Sequence, residues 1–157
     1  MKKKILLFVL AILMIASASS FAIGIGGAFS FSPIGSSPYN GGALSLKMDD
    51  LPLLGVSVSA SNGQFNIGGT ADWWMYNEPL VEILNLYAGI GGFASVSLGT
   101  STNFDLGVRI PVGLNIFVLD PLELFLEVAP AVGVTLGDNF NFPSWGLQSA
   151  IGFRFWF

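Results

Sequence analysis

The sequence predicts an all-β fold: an eight-stranded antiparallel up-and-down barrel that spans a membrane. Three observations lead there. Hydrophobic residues make up 52% of the chain and charged residues 10%, against about 25% charged in an ordinary soluble domain, so there is too little charge to clothe a soluble surface. Beyond the N-terminal stretch no apolar run is long enough for a membrane helix, and the other structure that satisfies its own backbone in lipid is a closed barrel. From Ile23 onward, apolar residues recur at every second position, the period of a strand with two unlike faces.

The chain divides into residues 1–22, a cleavable signal peptide, and residues 23–157, the barrel. Lys2 to Lys4 form a positive start, Ile5 to Ile15 an unbroken apolar run, and Ala16-Ser17-Ala18 and Ser20-Phe21-Ala22 supply small residues for cleavage. Cleavage is expected after Ala22, with Ala18 as the second choice. The apolar run is short of the roughly 20 residues of a retained anchor. Without Cys there is no lipoprotein site, disulfide framework or thiolate metal site. Without the signal, Lys47, Arg109 and Arg154 stand against ten acids, 3 − 10 = −7. A basic patch for nucleic acid is therefore absent.

The strands follow in order. Strand one, Ile23 to Phe31, sets Ile23, Ile25, Phe29 and Phe31 against Gly24, Gly26, Ala28 and Ser30, and Ser32 to Gly41 reads as a loop. Strand two is Gly42 to Met48, with Lys47 on its polar parity, and Asp49 to Pro52 turns. Strand three is Leu54 to Ser61, and Asn62-Gly63 signals a tight hairpin. Strand four, Phe65 to Met75, alternates Phe65, Ile67, Ala71, Trp73 and Met75 with Asn66, Gly68, Thr70, Asp72 and Trp74. Asn77-Glu78-Pro79 is expected to turn. Strand five is Ile83 to Leu98, and Gly99 to Asn103 is a polar loop. Strand six, Phe104 to Val118, carries Asp105 and Arg109 on its polar parity and Pro111, which cannot donate to the ladder, so a bulge or kink is expected there. Leu119-Asp120-Pro121 turns into strand seven, Leu122 to Leu136, with Glu123 and Glu127 on the polar parity. Asp138 to Trp145 reads as a loop, and strand eight is Gly146 to Phe157. The acidic-then-Pro-Leu turns recur at every second connection, so they share one end of the barrel.

Alternation alone does not say which face is outside, since a soluble lipid-binding barrel alternates with its apolar face inward. The less apolar face here is mostly Gly, Ala, Ser and Thr, which suit a narrow lumen. All seven charged strand residues (Lys47, Asp72, Asp105, Arg109, Glu123, Glu127 and Arg154) fall on that parity, three positive against four negative. They are expected to form an interior charge network, as buried charges need partners. The expected pairs are Glu127 with Arg109 and Arg154, and Lys47 with Asp72 across Gly55.

The chain ends on Ile151, Phe153, Phe155 and Phe157 at alternate positions. This pattern resembles the C-terminal assembly signal of bacterial outer-membrane barrels. With the signal peptide and eight strands, the mature chain resembles the small OmpA/OmpX-type barrels along its length. The resemblance implies location in the bacterial outer membrane, outer-membrane lipid as surroundings, the barrel assembly machinery as a partner of the last strand, and Pro-Leu turns facing the periplasm. Trp73, Trp74, Tyr76, Trp145 and Trp156 are expected as interface aromatics flanking the lipid band.

No catalytic, cofactor or metal site is expected. His is absent, which removes the commonest general base and metal ligand. Glu123 and Glu127 offer paired carboxylates, but ion pairing in the lumen accounts for them. The glycine clusters at Gly24 to Gly27 and Gly89 to Gly92 lack the dinucleotide-binding spacing. The leading expectation is a non-enzymatic structural or scaffold protein of the envelope. The alternatives are a narrow or gated pore, a surface ligand-binding or adhesion barrel using Tyr39, Phe140, Phe142 and Trp145, and a soluble periplasmic lipid-binding barrel.

Overall fold

The computed structural model describes residues 22–35, 40–49, 51–61 and 63–157. The expected signal peptide up to residue 21, together with Tyr39, Asp50 and Asn62, lies outside the described residues. Nine strand segments follow in order: β1 (Ile23–Gly35), β2 (Gly41–Met48), β3 (Leu53–Ser61), β4 (Gln64–Val81), β5 (Leu84–Leu98), β6 (Asn103–Arg109), β7 (Val112–Leu119), β8 (Leu122–Gly137) and β9 (Asn141–Trp156). All pairings are antiparallel, and β9 closes on β1 from Gly24↔Trp156 upward. Segments β6 and β7 both lie between β5 and β8. They are two halves of one stave, so the barrel has eight staves. The break falls at Ile110-Pro111, where the ladder stays stitched by Gly89 N–H to the Pro111 carbonyl at 2.9 Å and Ile110 N–H to the Pro130 carbonyl at 3.0 Å.

Three proline-containing stretches expected as turn or loop are strand instead, and each has the same cause. A proline is harmless where no ladder bond is asked of it, at an edge or a bulge. Strand β4 continues through Asn77-Glu78-Pro79 to Val81, and the turn sits at Glu82-Ile83. The last β3–β4 pair is Leu53↔Asp72, so Pro79 borders a stretch paired only with β5. Strand β9 starts at Asn141, inside the expected Asp138 to Trp145 loop. Its last pair with β1 is Gly35↔Gly146, so Pro143 too lies where one side is unpaired. Strand β1 runs through Pro33 to Gly35, with its register shift between Phe31 and Ile34.

The registers show a strong stagger. One circuit runs from Gly24 through Lys47, Leu53, Asp72, Gly91, Arg109, Ala131 and Gly146, and returns to β1 at Gly35. The Lys47-to-Leu53 step continues the Leu46↔Leu54 pair. Such a climb goes with strands tilted by about 45°. The two faces separate cleanly. Leu44, Val56, Leu106, Ile110 and Ile151 are exposed, whereas Lys47, Asp72, Asn115, Glu123 and Arg154 are buried. Polar side chains fill the lumen and apolar ones cover the outside. A barrel carrying lipid in an apolar lumen needs the reverse arrangement.

Candidate functional site: the charged lumen

The lumen holds two ion-pair clusters, one above the other. The lower centres on Arg154, which is 0% exposed, as is Glu123. Glu123 and Arg154 face each other in register across β8 and β9, with Arg154 Nη1 donating to Glu123 Oε1 at 2.8 Å. Arg154 Nε donates to Ser45 Oγ at 2.8 Å, and its guanidinium lies 3.9 Å from the Phe125 ring centroid and 5.6 Å from that of Trp74. Glu123 also accepts from Asn115 Nδ2 at 2.9 Å and Trp156 Nε1 at 2.6 Å. These bonds meet most of the pair's remaining donors and acceptors, as a buried ion pair requires, and leave Arg154 Nη2 without a protein partner.

The upper cluster centres on Arg109. Its Nη2 donates to Glu127 Oε1, its Nη1 to Gln148 Oε1 at 2.8 Å, and its Nε stands 3.1 Å from Asp72 Oδ1. Tyr87 Oη donates to Glu127 Oε2 at 3.0 Å. The Tyr87 ring stacks on Trp74 with centroids 4.0 Å apart, and so ties the two clusters together. This layering needs glycine opposite, because a Cβ on Gly113 would run into the Tyr87 ring.

Two of the expected pairings differ from this arrangement. Arg154 joins Glu123, and Glu127 lies opposite Ala150, because the loop before β9 is shorter than the sequence reading allowed and the register moves with it. Asp72 joins Arg109, and its register partner on β3 is Leu53, itself buried. Gly55 pairs instead with Thr70. Lys47 donates to the carbonyls of Met48 at 2.6 Å, Asp49 at 3.0 Å and Leu51 at 3.4 Å, and lies 5.4 Å from the Trp74 ring. Asp105 sits apart from both clusters and accepts from Ser95 Oγ at 3.0 Å and Thr135 Oγ1 at 2.6 Å.

Among the five expected interface aromatics, Trp73, Tyr76 and Trp145 are exposed on the outside. Trp74 and Trp156 turn inward to the clusters, a correction that their parity already carried: Trp74 alternates with Asp72, and Trp156 with Arg154. Tyr87, Gln148, Ser45 and Asn115 are partners of the clusters that the sequence reading did not assign to the charge network. Each lies on the small, polar parity of its strand, which was the available signal. At the barrel seam, Ile151, Phe153, Phe155 and Phe157 all face outward. Ile23 and Phe157 exchange two backbone hydrogen bonds, at 3.2 and 2.9 Å.

The fold is that of the small outer-membrane barrels. A major outer membrane protein from Thermus thermophilus superposes with a TM-score of 0.60 at 14% identity, covering 88% of this chain and 100% of that one. Neisserial surface protein A matches with a TM-score of 0.48 at 17% identity, over 87% of this chain and 97% of its own. Ail, the attachment invasion locus protein of Yersinia pestis, matches with a TM-score of 0.41 at 12% identity, over 88% and 97%. No curated protein sequence matches the chain. The family described as protein of unknown function (DUF3996) matches residues 5–156, and with nearly its whole length matched, the chain belongs to that family.

Proposed function

We propose that the protein is an integral barrel of the bacterial outer membrane with a structural, non-enzymatic role in the envelope. The observation that carries this reading is the inversion of its faces. All three cations of residues 23–157 sit in the lumen, and the outside presents a band of Leu, Ile, Val and Phe. Such a surface is stable in lipid and aggregates in water. Residues 1–22 serve as the export signal, removed on secretion. The alternating terminal residues Ile151 to Phe157 engage the barrel assembly machinery. The lumenal carboxylates are bound up with arginines, tyrosine, tryptophan and hydroxyls, which favours packing over acid–base chemistry.

The test is gel mobility. Outer membranes from cells expressing the full chain are run in detergent with and without boiling. A faster unboiled band in that fraction is expected from a closed, detergent-resistant barrel. Recovery of the protein in the soluble periplasm, without a mobility shift, overturns the proposal.

A further inference from the structure

At the end of the barrel that carries the Pro-Leu turns, β4 outruns its neighbour on one side. Its ladder with β3 ends at Leu53↔Asp72, while its ladder with β5 continues to Val81↔Leu84. Among the described residues, Trp73 to Val81 therefore pair along one edge only, and the other edge stands open. An open strand edge is a template for a further strand. The faces are open too, since every residue from Met75 to Val81 is exposed. The register assigns each side chain to a face. Tyr76 and Glu78 lie opposite Ala88 and Leu86, on the outward face that Trp73 shares opposite Ile90. Asn77 lies opposite the buried Tyr87, on the lumenal face. Along the open edge, the outward face thus offers two aromatic rings and then a carboxylate.

Charge decides what fits this edge. Glu78, Glu82 and Asp120 are exposed at the same end, whereas every lysine and arginine of residues 23–157 is buried in the lumen. A second copy paired edge to edge brings Glu78 and Glu82 of both chains together, and like charges on facing strands are destabilising. Pro79 has no N–H to offer and ends the usable edge. We infer that the open edge of β4 from Trp73 to Glu78 is a docking site for an extended, basic segment of another protein, added as a further strand. Its lysine or arginine lies opposite Glu78. Apolar side chains at the second and fourth positions beyond it lie against Tyr76 and Trp73, and the residue facing Asn77 is small and polar. Main-chain bonds supply the affinity of an added strand, and its alternate side chains the selectivity. The inference goes beyond the proposed envelope role and does not rest on it.

The experiment uses the barrel in uncharged detergent micelles, with its backbone amides followed by NMR. The probe is a capped peptide, Lys-Thr-Lys-Thr-Val-Thr-Val. Its counterpart carries Glu for both Lys, and two further forms are N-methylated at alternate residues, one for each parity. The basic peptide is expected to shift the amides of Trp73 to Glu78 along a saturating curve and to slow their exchange with solvent. The acidic counterpart should bind at least roughly tenfold more weakly, as attraction across the strands becomes repulsion. One methylated form should fail and the other bind, because an added strand turns only alternate amides toward its neighbour. Glu78→Lys combined with Glu82→Lys alters exposed positions only. It should keep the unboiled gel mobility and reverse the preference to the acidic peptide. No saturating response, equal behaviour of the two methylated forms, or an unchanged preference in the double variant overturns the inference. So does sedimentation showing a dimer whose β4 amides are already protected, which gives the edge to a second copy. Failure of the envelope reading shows instead in cell fractionation, so the two failures are distinguishable.

Discussion

Arg109 and Arg154 do the same chemical job with different safety margins. Arg109 has two carboxylates within reach, Glu127 and Asp72, whereas Arg154 has one, Glu123. Breaking a buried pair by removing one partner costs on the order of 3–5 kcal/mol, because the other charge stays buried and unpaired. Glu123→Ala should therefore lose about that much, and Glu127→Ala clearly less, since Asp72 remains beside Arg109. Urea unfolding of the refolded barrel measures both, and equal losses would show that the second carboxylate gives no protection. The aromatic groups add to the asymmetry. Arg154 rests on Phe125 at 3.9 Å, a contact that strengthens as the site is desolvated and that leaves nothing to replace Glu123.

At the scale of the strand, the seam carries the sharpest prediction. β9 meets β1 over most of its length, and the closing bonds are the two between Ile23 and Phe157. Deleting Phe157 removes both at the very rim, where fraying is least costly, so folding into detergent from urea should be nearly unchanged. Assembly in cells should fall severalfold, read as the folded fraction on an unboiled gel, because the terminal aromatic is also the proposed handle for the assembly machinery. Equal losses in both settings would assign Phe157 a packing role alone. The seam also shows what could be read in advance. Parity is local: each residue of β9 declares its face by its neighbours two positions away, and Arg154, Gln148 and Trp156 were all legible as lumenal. Register is not local. It depends on loop length, and β9 begins within what reads as loop because Pro143 and its Asn and Ser neighbours imitate a turn. An error of a few residues there moved Arg154 from Glu123 to Glu127. The same imitation at Asn77 to Pro79 hid the last third of β4. The Tyr87–Trp74 stack was beyond reach for another reason, as it joins side chains from strands whose offset includes the shift between Trp74 and Tyr76.

For the whole molecule, the lumen decides whether solutes cross. An eight-stranded ring encloses a space that side chains just fill. Here Arg154, Phe125 and Trp74 occupy its lower half, and Tyr87 stacks on Trp74 and joins them to the Arg109 cluster above. In planar bilayers the purified barrel should show no steady conductance. A stable open level would argue for a path around the clusters and restore the narrow-pore alternative. The same filled lumen makes the barrel a stiff object, held by a closed ladder outside and ion pairs within.

The hydrogen-bonded meeting of Ile23 with Phe157 means that the ring of staves has no intrinsic first member. The order of pairing is cyclic even though the polypeptide is linear. A chain rewritten to run from β2 round to β1, with a short linker joining Phe157 to Ile23 at the present seam and new ends placed between β1 and β2, contains every stave, every register and both charge clusters unchanged. Its fold is therefore a property of the circle of neighbours, and the position of the termini is a matter of synthesis and delivery.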